Sequence, residues 1–274
     1  MILGNLDNEV IFKKVFTNVE VFTAFVKDVC GIDIEIDRVE TERELNRKTA
    51  HIRFKMDLFA ESKDHRVIVE IQKVDYDYNH DRFLHYFLAN VIDQQGSGSE
   101  YAFAREVYTI VLITAPYKIS DKSGKPIQDD VLLTTLNPQT LNGQVRQMYG
   151  HKLLFLNPNY MGIDTPPQIL DWMVLIHESI HHPENPKINL SKPAIRKAAA
   201  LAEVDNLDPS ERYEAKNQQA RKSASAVMKE LGKEEAVLEG IQNALRLGKF
   251  SKEDIAELFQ VTLDFVEKTA NDMG

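Results

Sequence analysis

A single cysteine, Cys30, among 274 residues excludes an internal disulfide framework and fits a reducing compartment. Set near a predicted helix end, it reads as a small buried side chain and not as a nucleophile. Long apolar runs are missing as well. The best, Val107 to Ala115, falls far short of the roughly 20 residues that span a bilayer and suits a buried strand. Met1 to Asn8 lack a basic stretch followed by an apolar one, so no secretory leader, no membrane association and a cytoplasmic location are expected. Positive charge is in deficit, with 33 Lys and Arg against 42 Asp and Glu, a net charge of −9. That balance is awkward for a partner rich in phosphate, although binding depends on local patches. Three such patches stand out: Arg43, Arg47, Lys48, Arg53 and Lys55; Lys192, Arg196 and Lys197; and Lys216, Arg221 and Lys222. Low-complexity segments and internal repeats are also lacking, and 43% hydrophobic with 27% charged residues is ordinary for a globular chain.

What is present reads as alternating helices and strands. Phe12, Phe16, Val19, Phe22, Val26 and Val29 recur at helical spacing, which predicts an amphipathic helix over Glu9–Val29, stopped by Gly31. Strands are expected at Ile34–Val39, Ile52–Ala60 and Arg66–Lys73. A helix from about Asn79 to Gln95 follows, then an apolar, β-branched strand at Val107–Thr114. Further strands are expected at Val131–Leu136 and Lys152–Leu156. Beyond Thr165-Pro166-Pro167 the patterns are helical: Gln168–His181, a helix capped by Ser191 and running to Glu203, one from Asp208-Pro209 to about Leu231, Glu234–Leu247, and Ser251–Thr269. The expected organisation is an α/β core with the order αβββαβ in residues 1–165, followed by a helical C-terminal region over 166–274.

The chemistry concentrates on one predicted hairpin. With Ser62 to His65 as the loop, Glu61 opposes Arg66, Phe59 opposes Ile68, and Asp57 falls opposite Glu70. Side chains alternate along a strand, so Met56, Leu58, Val67, Val69 and Ile71 form an apolar face. The other face carries Lys55, Asp57, Glu70 and Gln72 beside Phe59 and Ile68. Two carboxylates directly opposite repel one another, and a divalent cation would offset that repulsion. Magnesium suits the pair, because it takes one or two carboxylates with waters and a phosphate oxygen. Gln72, two residues past Glu70, can orient an attacking water.

These residues, in this order of elements, resemble the PD-(D/E)XK nuclease superfamily, and most closely its PD-(D/E)XK nuclease family transposases, or recombination-promoting nucleases. The matching stretches are Glu9–Phe16, Met56–Glu61, Val67–Gln72, Tyr76–Tyr86 and Val107–Thr114. The resemblance implies a restriction-endonuclease-like fold with a mixed sheet. It further implies a magnesium-dependent endonuclease, with manganese able to substitute, acting on double-stranded DNA and linked to recombination or mobile elements. Under it Asp57 and Glu70 would hold the metal with the backbone carbonyl of Ile71. An acid of the first helix would assist, Glu9 first and Asp7 second. Arg82 and Tyr86, one helical turn apart, would touch the DNA backbone. The chain departs from the superfamily motif in carrying Gln72 where lysine is usual; Lys55, opposite Gln72 in the derived pairing, is the candidate for the missing positive charge.

Other signals compete. A catalytically inactive DNA-binding protein would share the fold. His177-Glu178-Ser179-Ile180-His181 matches the H-E-x-x-H pattern of zinc metallopeptidases, with both histidines on one helical face. Lys249 to Phe259 resembles the first half of a helix-turn-helix, but Asp264 and Glu267 are poor groove readers in the second. A packed helical tail, available for homodimerisation, is the simpler expectation.

Overall fold

Two asparagine caps divide the first predicted helix. Asn8 accepts from the Val10 N–H at 3.0 Å and starts α1 (Glu9–Phe16); Asn18 accepts from the Val21 N–H at 3.2 Å and starts α2 (Val19–Cys30). The apolar period runs through both helices and conceals the break, since Phe12, Phe16, Phe22, Val26 and Val29 are all buried. Gly31, at a left-handed φ of 73°, ends α2. This computed structural model describes residues 1–45, 54–72, 80–94, 102–247, 251–259 and 261–272. The expectations for Arg47, Lys48, Arg53, Lys73, the Tyr76–Asn79 stretch, Gln95 and Lys249 lie outside them, as do those for the side chains of Arg221 and Lys222.

Among the described residues the sheet has six strands: β1 (Glu40–Leu45), β2 (Phe54–Glu61), β3 (His65–Gln72), β4 (Glu106–Ile113), β5 (Val131–Thr135) and β6 (Lys152–Leu156), in the order β1-β2-β3-β4-β6-β5. β1, β2 and β3 pair antiparallel, β3, β4 and β6 parallel, and β5 returns antiparallel to β6. α3 (His80–Ile92) makes the crossover from β3 to β4. The sheet is therefore mixed, and the αβββαβ order of a restriction-endonuclease-like fold holds.

One strand is displaced from its expected place. Ile34–Val39 is not a strand: Ile34 is buried and Ile36 packs on the core from irregular chain, while the ladder forms at Glu40–Leu45. The sequence Glu-Thr-Glu-Arg-Glu-Leu has no apolar alternation, because an edge strand facing solvent does not need one.

Helices cover both faces. On one, Leu58, Val67, Val69, Ile110, Leu112 and Leu154 pack with α1, α2, α4 (Pro167–His181) and α5 (Pro193–Ala202). On the other, Phe59, Ile68, Val111 and Phe155 pack with Phe83 and Phe87 of α3. Lys192, not Ser191, occupies the capping position of α5, with Pro193 as the first helical residue. Residues Met1–Ala215 form one compact unit and Lys216–Gly274 a second. α6 (Pro209–Leu247) is one helix where two were expected, and it starts on a reciprocal pair of bonds between Asp208 and Glu211. In the second unit Ile241, Ala244, Ile255, Ala256 and Val266 form a small core that joins α6 to α7 (Lys252–Phe259) and α8 (Leu263–Asp272). Ser251 and Asp254 exchange the bonds of a capping box there. Among the described residues no helix is long and apolar enough to cross a membrane.

The sole tryptophan reports on the first unit. Trp172 is fully buried against Phe16 and Phe25, and its indole N–H donates to Asp28 Oδ2 at 2.7 Å. Asp28→Ala strands that donor and is expected to destabilise the unit by about 1–3 kcal/mol. Denaturant unfolding followed by tryptophan emission measures it; an unchanged midpoint would show that the bond contributes nothing.

Candidate active site

The β2–β3 ladder runs from Glu61↔Arg66 to Leu58↔Val69, in the derived register, and stops there. The next rung is made by side chains. The Asp57 N–H donates to Glu70 Oε1 at 3.2 Å, and the Ile71 N–H donates to Asp57 Oδ2 at 2.9 Å. Each carboxylate thus occupies a place that a backbone carbonyl would fill in a regular ladder. The two acids are locked to neighbouring strands and to each other's surroundings. At the opposite end of the hairpin, buried Arg66 pairs with Glu61 at 2.7 Å and Asp93 at 3.1 Å and donates to the Asn90 carbonyl at 3.1 Å, pinning the strands to α3.

The ladder on the other side of β2 is also interrupted at Asp57. Thr41↔Leu58 and Arg43↔Met56 pair, but Glu42, which falls opposite Asp57, takes a left-handed φ of 56° and forms no rung. The alternation of β2 breaks with it. Met56 points to α3, where Asn90 Nδ2 donates to its sulfur at 3.4 Å, while Leu58 stays on the α1 side. The expected uniform apolar face of Met56, Leu58, Val67, Val69 and Ile71 is corrected accordingly. Lys55 does not enter the ladder with Gln72; its ammonium pairs with Glu42 at 3.0 Å.

The pair is electrostatically loaded. Glu70 is only 3% exposed, and burial, then the Asp57 charge, push its carboxyl well above the ordinary glutamate value of 4.5. The Asp57 N–H and Arg82 act against that rise. Asp57 is raised above 3.8, mostly by burial, with the Ile71 N–H opposing and Glu9 adding repulsion. A buried and a half-buried carboxyl fixed by neighbouring backbone N–H groups, both raised above their ordinary values, fit a divalent cation, because a metal would supply the positive charge that favours their ionised forms.

The other predicted residues fall around this centre. Glu9 and Lys13, one turn apart on α1, are paired, and both act on Asp57 through space. Asp7 accepts from the Thr114 hydroxyl at 2.9 Å, and the Thr114 N–H donates to the Gln72 carbonyl at 3.0 Å, so Asp7 is tied to the end of β3. Arg82 is exposed and donates to the hydroxyl of buried Tyr86 at 3.1 Å, with its guanidinium 5.1 Å from the ring centre. Two residues were missed at the sequence level. Lys13 bridges Glu9 and Glu42, and their hydrogen bonds outweigh its burial and hold it above 10.5. Glu42, bonded to Lys13 and Lys55, is pulled down to about 2. The spacing Glu9-x-x-x-Lys13 was a visible helical ion pair; nothing in the sequence announced Glu42.

A family model described as PD-(D/E)XK nuclease family transposase matches residues 6–230. No curated protein and no solved structure matches the chain.

The elevated carboxyl has a measurable consequence. Because the folded value of Glu70 lies above its unfolded value, its contribution to stability is complete below about pH 4.5 and is lost as pH rises through the folded value. In EDTA, wild type is therefore expected to lose thermal stability relative to Glu70→Gln as pH rises above 4.5, and magnesium should restore it in wild type alone. Melting curves across pH decide; parallel curves for the two proteins would refute the elevated carboxyl.

Proposed function

The chain belongs to the PD-(D/E)XK nuclease family transposases, and we propose that it is a metal-dependent endonuclease that hydrolyses phosphodiester bonds of double-stranded DNA at the Asp57–Glu70 hairpin. The observation that carries this reading is the pair of backbone hydrogen bonds, from the Asp57 N–H to Glu70 and from the Ile71 N–H to Asp57, that fixes a buried and a half-buried carboxyl at the end of β2 and β3. Two backbone N–H groups, Arg82 and, at Asp57, Lys13 offset part of the repulsion, and both carboxyls are still raised, which leaves room for the charge of a cation.

Asp57, Glu70 and the carbonyl of Ile71 would hold magnesium, with manganese as a substitute. When bound, such an ion neutralises phosphate charge and makes water a stronger nucleophile. Gln72, next along the same strand face as Glu70, orients the attacking water through its amide. Water adds to phosphorus as the bridging P–O bond breaks, leaving one phosphate and one hydroxyl terminus. Glu9 shapes the charge at Asp57 from α1. Lys55, held by Glu42, supplies the positive charge that the motif lysine gives elsewhere in the superfamily. Arg82 meets the DNA backbone, and Tyr86, through its hydroxyl, sets the guanidinium in place. Residues 1–165 would carry the reaction, in the cytoplasm and in a recombination or mobile-element setting, with the C-terminal helices supporting a homodimer.

Supercoiled-plasmid cleavage tests the reading. Wild type with magnesium or manganese should nick the plasmid, EDTA should abolish nicking, and Asp57→Ala should lose at least about a hundredfold, as removal of a metal ligand worth several kcal/mol requires. Cleavage that persists in the variant would sink the hairpin assignment. Absence of cleavage in both, with metal binding no tighter in wild type than in Asp57→Ala, would favour a binding-only protein. Lys55→Ala is expected to lower cleavage by about tenfold, the low end for one charge at a transition state; equal rates would remove its role.

A further inference from the structure

The end of α4 carries a second group of donor atoms that the proposed reaction does not use. His177-Glu178-Ser179-Ile180-His181 closes the helix and His182 follows it. Helical spacing brings the rings of His177 and His181 to 4.4 Å, the arrangement in which a metallopeptidase would use both as ligands and keep the glutamate for proton transfer. The donor atoms assemble differently. His177, Glu178 and His182 each place one ligating atom within 4.8 Å of the other two, and His181 is not in that set.

Glu178 is the centre of the group. Its Oε1 lies 3.5 Å from His177 Nδ1 and 3.0 Å from His182 Nδ1. Zinc bonds of about 2.0–2.1 Å in a tetrahedron set neighbouring donors roughly 3.3 Å apart, and the two observed spacings bracket that value. The second oxygen, Oε2, accepts from the Lys187 N–H at 2.8 Å, the kind of outer contact that fixes a ligating carboxylate. Backbone geometry returns His182 over Glu178, because the His182 N–H donates to the Glu178 carbonyl at 2.9 Å as the helix ends. Glu178 and His182 line a surface cavity whose walls also include His181, Glu184 and Asn185.

We propose that His177, Glu178 and His182 form a binding site for a divalent transition metal of the zinc class, with solvent as the remaining donor. Two imidazoles and one carboxylate select such ions over magnesium or calcium, which take oxygen. The site contains none of the hairpin residues and stands whether or not the hairpin cleaves DNA. Its role is structural. It ties the last turn of α4 to the segment through Lys187, in which the Pro183 carbonyl accepts from the Leu3 N–H at 2.9 Å and so holds the chain that leads into α1.

Cobalt(II) spectroscopy on the full-length, tag-free chain carrying Asp57→Ala, which silences the hairpin, is the test. One equivalent of cobalt should give the intense visible absorption of a low-coordinate site, and zinc should displace it. His177→Ala and His182→Ala should each weaken binding by about tenfold or more, while His181→Ala keeps it. Since His182 is largely exposed, its variant should fold, and circular dichroism checks this. No absorption in the parent would reduce the group to a hydrogen-bonded His–Glu pair and overturn the proposal. Loss of absorption in His181→Ala, or its survival in His182→Ala, would overturn the ligand set.

Discussion

Two hydrogen bonds between side chain and backbone, from Asp57 N–H to Glu70 and from Ile71 N–H to Asp57, decide what the sheet can do at this end. They complete the β2–β3 pairing where the ordinary ladder stops, so the acids are structural members as well as candidate ligands. A carboxylate held by a strand N–H cannot swing away from its like-charged neighbour. Burial, nearly complete at Glu70 and partial at Asp57, disfavours the charged forms and pushes both carboxyls above their ordinary values. Strand continuity and the proposed metal site thus rest on one feature: removing either acid breaks a rung and takes away a candidate ligand together.

The rest of the core keeps that feature rigid. β3 lies between β2 and the parallel β4, with apolar layers on both faces, and Arg66 clamps the far end of the hairpin. Distortion collects on β2 and its edge neighbour instead. A left-handed backbone at a residue other than glycine costs about 1–2 kcal/mol, and Glu42 adopts one directly across from Asp57. Its bonds to Lys13 and Lys55 hold it there. Strained positions gather at functional sites, and Glu42 is such a position beside the two acids. The same break turns Met56 to α3 and carries Lys55 to the side of Glu42.

Much of this could be read in the sequence, and the failures have physical causes. Buried strands such as Val107–Thr114 and Lys152–Leu156 announce themselves because both faces must be apolar. The hairpin register followed from placing the loop at Ser62 to His65, and it holds from Glu61 to Leu58. Alternation is also what misled: it assumes a regular strand, and a single left-handed residue on the neighbouring strand overturned the facing of Met56 and Lys55. Charged β1 was invisible to any hydrophobic pattern. The break between α1 and α2 was hidden because the apolar period crosses Thr17 and Asn18, although Asn18 is a good capping residue. At the end of α4, helical spacing pairs His177 with His181, whereas the donor atoms that converge are those of His177, Glu178 and His182, because the end of the helix brings His182 back over Glu178.

The acidic net charge of the chain has little bearing on the pair, because what matters is which cations reach it. Lys13 and Arg82 both act on Asp57, and they differ in what else holds them. Lys13 lies between Glu9 and Glu42, so its charge is already matched twice and its geometry is fixed by α1 and β1. It steadies the acids around Asp57 and has little to give an incoming anion. Arg82 is exposed, opposes the rise of both Asp57 and Glu70, and is braced by a neutral partner, the Tyr86 hydroxyl and ring. Among the described residues no acidic side chain pairs directly with Arg82, which leaves its planar fork for phosphate oxygens. The proposed backbone contact therefore falls on Arg82, and the deficit of positive charge elsewhere leaves that local field intact.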